Sequence, residues 1–71
     1  MQYRMNYETD NIQVEGRKDE SSDYGAYAYF DEKSRLIFYG DLPDEICKEI
    51  YDFLASECII LENGVAYQLV D

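Results

Sequence analysis

Asn63-Gly64 sits between two apolar runs, Cys58-Ile59-Ile60-Leu61-Glu62 and Val65 to Val70, and this pairing constrains the fold more than any other feature of the chain. A two-residue type I′ turn needs positive φ at both positions, and Asn-Gly supplies that with little steric cost. Residues 58–70 are therefore predicted to form a β-hairpin.

The N-terminal segment carries the second clear pattern. Met1, Tyr3, Met5 and Tyr7 alternate with Gln2, Arg4 and Asn6, the period of two expected of a half-buried strand. Thr9-Asp10-Asn11 reads as a turn, after which a short strand from Ile12 to Glu15 pairs back. Residues 16–23, GRKDESSD, read as an exposed polar loop, with Arg17 and Lys18 as solvated charges. Tyr24 to Phe30 is a tyrosine-dense strand. Strict alternation places Tyr24, Ala26, Ala28 and Phe30 on one face and Gly25, Tyr27 and Tyr29 on the other. Asp31-Glu32-Lys33-Ser34 is a tight turn, and Arg35 to Tyr39 returns as a strand.

Gly40-Asp41-Leu42-Pro43 ends that strand and opens a helix predicted over 42–56. Asp41 is placed to cap it, with Pro43 tolerated in the first turn. Asp44 and Glu45 complement the positive helix end. Ile46, Ile50, Phe53 and Leu54 recur at spacings of three and four, one apolar stripe flanked by Cys47 and Tyr51. The predicted order is ββ-ββ-α-ββ: an α+β fold with an antiparallel sheet of five or six short strands and one helix packed on one face.

With 71 residues, one domain spanning 1–71 is expected. A chain this short buries only ~60% of its unfolded surface. Eight Tyr and three Phe supply large side chains for a compact core, which argues against disorder despite the charge. Cys47 falls inside the predicted helix and Cys58 opens the next strand; both read as reduced core thiols, a bond between them being the lesser alternative. There is no basic segment followed by an apolar run at the N-terminus and no apolar stretch of membrane-spanning length, so the cytoplasm is the expected location.

Charge sets the functional expectation. Sixteen acids against six bases, with no histidine, leave a net charge of −10. Direct binding to nucleic acid or an anionic membrane needs positive charge and is not expected; a basic partner is. Catalysis is not expected either. Without histidine there is no Ser–His or Cys–His pair, the two cysteines do not make a zinc site, and no glycine-rich phosphate loop or EF-hand pattern occurs. Carboxylates are plentiful, but a chain of this size seldom builds a cleft in which a pair could act on substrate. No catalytic residue, cofactor or metal is assigned.

The acids are unevenly spread. Residues 1–35 hold eight acids and five bases, a net −3, whereas residues 36–71 hold eight acids and only Lys48, a net −7. Glu45, Glu49 and Asp52 follow i, i+4, i+7 spacing and line one helix face at steps of ~5–6 Å, with Asp41 and Asp44 extending the row. A solvated helix face accounts for such a row, although it usually mixes signs. The alternative is that the carboxylates imitate the phosphates of a nucleic-acid strand and engage the Arg and Lys of a protein that binds one. Tyr27, Tyr29 and Tyr39 are the candidate anchors beside them; core or sheet packing is their plainer role.

Asp41, Asp44, Glu45, Glu49, Asp52, Glu57 and Glu62 on a short α+β chain give the sequence the character of the small, very acidic, tyrosine-containing inhibitors of phages and mobile elements. In this it resembles DNA-mimic anti-CRISPR proteins, a class with no shared motif. The resemblance implies inhibition of a nucleic-acid-binding defence complex through its basic surface, in a bacterial host cytoplasm. The competing reading is an interaction module or antitoxin-like partner acting through an apolar surface or sheet edge. A third is a homodimer completed by pairing sheets through the Met1–Tyr7 strand.

Overall fold

A computed structural model describes residues 1–68, placing six strands and one helix in an α+β arrangement. β1 (Gln2–Asn6), β2 (Gln13–Arg17), β3 (Gly25–Phe30) and β4 (Leu36–Phe38) form a four-stranded antiparallel meander in the order β1-β2-β3-β4. α1 (Asp44–Ser56) follows, then β5 (Ile59–Glu62) and β6 (Val65–Gln68), which pair as a separate two-stranded sheet. The predicted continuation to Val70 lies outside the described residues. The hairpin is joined to the β3–β4 turn: Leu36 N–H donates to Gly64 O at 2.9 Å and Ala66 N–H to Ser34 O at 2.7 Å.

Turn chemistry accounts for the registers. Asn63 and Gly64 take φ of 53° and 78°, as a type I′ turn demands, and Glu62 pairs with Val65 across it. Asp31 organises the β3–β4 turn. Its carboxylate accepts from the Lys33 and Arg35 backbone N–H groups, each at 2.9 Å, and from Arg35 Nε at 2.8 Å. Those donors favour the charged form and hold the Asp31 carboxyl below its ordinary pKa.

The core comprises Val14, Ala28 and Phe30 from the sheet, Ile50 and Leu54 from α1, and Ile59 from β5. Ile50 and Leu54 are fully buried, so truncating either to Ala costs about 2–5 kcal/mol. Alternation puts Tyr3, Met5 and Val14 on the helix side and Arg4, Asn6, Gln13 and Glu15 on the other.

Four sequence expectations are corrected. The loop predicted from residue 16 starts later, because Gly16 and Arg17 complete β2. The helix starts at Asp44, with Pro43 at the N-cap and no side-chain cap, so Asp41 does not cap it. Pro43 itself explains this. It has no N–H to give, its ψ of 147° is extended, and its carbonyl accepts the Ile46 and Cys47 N–H groups that open the helix. Cys58 is exposed and precedes β5 at a φ of 61°, where the chain reverses out of α1; Cys47 is half-buried, and both are free thiols. Finally, β3 does not alternate strictly. Val14 pairs with Ala28 but Glu15 pairs with Ala26, which leaves Tyr27 as the extra residue of a β-bulge. The bulge turns Tyr27 towards the core side and Ala26 towards the open face, exchanging the sides that alternation gives them.

Candidate functional site

Alpha1 presents its acids because its apolar stripe is consumed by the core. With Ile50 and Leu54 inward, Asp44, Glu45 and Asp52 are exposed, and Lys48 is the only base on the helix. Asp41 is exposed in the segment before the helix and Glu57 is exposed at its C-cap. Asp44 and Glu45 suit the positive helix end. At the other end there is no basic residue in the last turn, and Glu57 sets a carboxylate against the negative pole of the helix.

Glu49 stands apart from the row it was read with. It is half-buried, and its Oε1 accepts the Tyr3 hydroxyl at 3.0 Å. Tyr3 in turn packs against Phe53 at a centroid distance of 5.8 Å and edge-on against Tyr27 at 6.3 Å. Burial first, then the Glu49 hydrogen bond and the charges of Glu49 and Tyr27, push the Tyr3 hydroxyl above its ordinary pKa. Glu49 is thus a clasp between helix and sheet, and the freely presented carboxylates are Asp41, Asp44, Glu45, Asp52 and Glu57.

The three candidate tyrosines divide between opposite sides of the sheet. Tyr27 is half-buried and packed on the core side. Tyr29 and Tyr39 lie on the face away from α1, their rings 5.0 Å apart, with Gln13 Nε2 donating to the Tyr39 hydroxyl at 3.2 Å. That open face also holds an arrangement the sequence reading missed. The guanidinium groups of Arg4 and Arg17 stack on the Tyr24 ring, at 3.8 and 4.5 Å from its centroid. Arg4 pairs with Glu15 at 2.9 Å, Asn6 donates to the same carboxylate at 3.0 Å, and Arg17 donates to Gln2 at 2.8 Å. The Asn6 hydrogen bond, and after it that of Arg4, hold the Glu15 carboxyl below its ordinary pKa. The alternation of Gln2, Arg4 and Asn6 was a legible signal for this face; assigning Arg17 to a loop hid its partner.

The nine residues singled out in the sequence therefore do not form one site. The exposed acids cluster on and beside α1, while Tyr29 and Tyr39 lie across the sheet with two arginines. Among the described residues no group of three or more Cys, Asp or Glu side chains is placed to hold a metal ion, and no helix is long and apolar enough to cross a membrane. No family model, curated protein or solved structure matches the chain.

Proposed function

We propose that this protein is a stoichiometric inhibitor that occupies the basic surface of a nucleic-acid-binding protein, in the manner of the DNA-mimic anti-CRISPR proteins its sequence resembles. The observation that carries the reading is the outward face of α1, where Asp44, Glu45 and Asp52 are presented with Lys48 as the single base, and Glu57 is kept at the helix end where negative charge is least favoured. Self-repulsion within a chain of net charge −10 lowers stability, so its retention on a rigid helix is explained by use in binding. Asp44, Glu45 and Asp52 engage the partner's Arg and Lys, and Asp41 and Glu57 extend the contact at the two ends. No chemical step is involved, and the protein acts by occupancy in the cytoplasm of the host cell.

The test is charge reversal on the presented acids. Wild-type protein immobilised on resin captures a nucleic-acid-binding protein from a bacterial lysate, and the D44K/E45K/D52K variant loses it. Undiminished capture by a folded triple variant would falsify the proposal. Glu49 is left untouched because its carboxylate holds Tyr3, so changing it mixes folding with binding.

A further inference from the structure

A shallow groove runs between α1 and β5, walled by Tyr51 and Ala55 on the helix and by Cys58, Ile59, Ile60 and Leu61 along the strand. Its apolar walls are open to solvent: Tyr51 is 47% exposed and Ile60 50%. The strand wall also has an unused edge. β5 is hydrogen-bonded to β6 on one side, and among the described residues no strand lies along the other. An unpaired edge beside apolar sockets is the arrangement that accepts an extended peptide as an added strand.

Charge specifies which peptide. Glu57 comes just before the strand wall, Glu62 ends it, and Asp52 adjoins Tyr51; all three are exposed. From Glu49 to the last residue the sequence contains no Lys or Arg. The free edge of β1 differs, because residues 1–7 hold no acid and include Arg4. A cationic strand is drawn to β5 and not to β1.

We infer that the α1–β5 groove binds an extended segment of a basic partner, alternating apolar residues with Lys or Arg, by strand addition to β5. This rests on the reading that the partner is basic and adds where and how a segment of it is held. Apolar side chains of the segment pack on Tyr51 and Ile60, its backbone completes the β5 ladder, and its cations meet Asp52, Glu57 and Glu62.

The probe is acetylated, amidated KVKVKV peptide titrated into ¹⁵N-labelled protein, alongside the same peptide N-methylated at alternate residues to remove ladder donors. The expected result is that amide signals of residues 58–62 shift and exchange more slowly with solvent. N-methylation weakens binding about tenfold, and so do Ile60→Asn and Ala55→Arg. Both positions are exposed, so Ala55→Arg, which fills the groove from the helix, keeps the experiment decisive if Ile60→Asn fails to fold. Shifts confined to the outward face of α1, shifts along residues 2–6, or equal binding of the N-methylated peptide would each overturn the groove while leaving the charge-led reading standing. Conversely, strand addition at β5 together with a cellular partner that DNA does not displace keeps the groove and rejects DNA mimicry.

Discussion

The Tyr3 hydroxyl reaches 3.0 Å across the interface between the edge strand and the helix to donate to Glu49 Oε1. The bond joins residues far apart in sequence, and it converts one member of an acidic row into part of the scaffold. Tyr3→Phe keeps the ring against Phe53 and Tyr27 and removes only a hydroxyl bonded to a carboxylate, so it is expected to cost about 1.5–3 kcal/mol. Chemical denaturation should show a lower midpoint with an unchanged slope.

The same hydroxyl makes stability depend on alkaline pH. Its folded pKa lies above the unfolded value near ~10, so the fold binds this proton more tightly than the unfolded chain does. The contribution is complete below about pH 10 and is lost as pH rises beyond it. Wild-type protein should lose stability over that range more steeply than Tyr3→Phe, read as the difference between their denaturation midpoints. On the acid side the sign reverses. Glu15, held below its ordinary pKa by Asn6 and Arg4, contributes stability above its unfolded pKa that is lost as pH falls through its lower folded value.

Gly16 is required by Tyr3. A Cβ at residue 16 would lie 2.9 Å from Tyr3 Cδ1 and 3.0 Å from Cε1, closer than carbon atoms approach. The ring is held by Phe53 and Tyr27 and cannot simply swing aside. Gly16→Ala is expected to cost about 1–3 kcal/mol and to break the Tyr3–Glu49 bond. Combined with Tyr3→Phe, its cost should be less than additive, as a double-mutant cycle would show.

Much of this fold was legible because local chemistry and the global pattern agree. Asn63-Gly64 dictated its turn, the β1 alternation matched a two-faced strand, and the Ile46–Leu54 stripe marked the buried side of α1. The errors arose where a backbone irregularity broke a periodicity. The bulge at Tyr27 shifts β3 by one residue, and alternation alone carries no sign of it. Pro43 displaced the helix start from the position suggested by Asp41. For the candidate site, exposure of Asp44, Glu45 and Asp52 followed from the helix period. The capture of Glu49 by Tyr3, and the stacking of Arg4 and Arg17 on Tyr24, are tertiary contacts that spacing along one element does not reveal.

Glu57 offers a test in which stability and binding move in opposite directions. A cation at that helix end complements the dipole, so Glu57→Lys should stabilise the fold by about 0.3–1 kcal/mol at low salt. The same change removes a carboxylate from the proposed contact and should weaken partner binding. A melting temperature that rises while affinity falls identifies the acid as functional; a rise with unchanged affinity assigns it to the solvated surface.

Ionic strength separates charge-led from apolar association. Raising salt relieves self-repulsion and should increase the melting temperature of the free protein. Over the same range the affinity for a basic partner should fall steeply. Affinity indifferent to salt would mean that the exposed Tyr51 and Ile60 surface dominates the contact.

The most direct measurement is competition: a partner captured from a bacterial lysate on immobilised protein is challenged with excess double-stranded DNA. A nucleic-acid-binding protein released by DNA in proportion to its own affinity for DNA is the result expected of a surface that imitates phosphates with Asp44, Glu45 and Asp52. A partner retained undiminished under saturating DNA would contradict it, and would show that the acidic face of α1 does not stand in for nucleic acid.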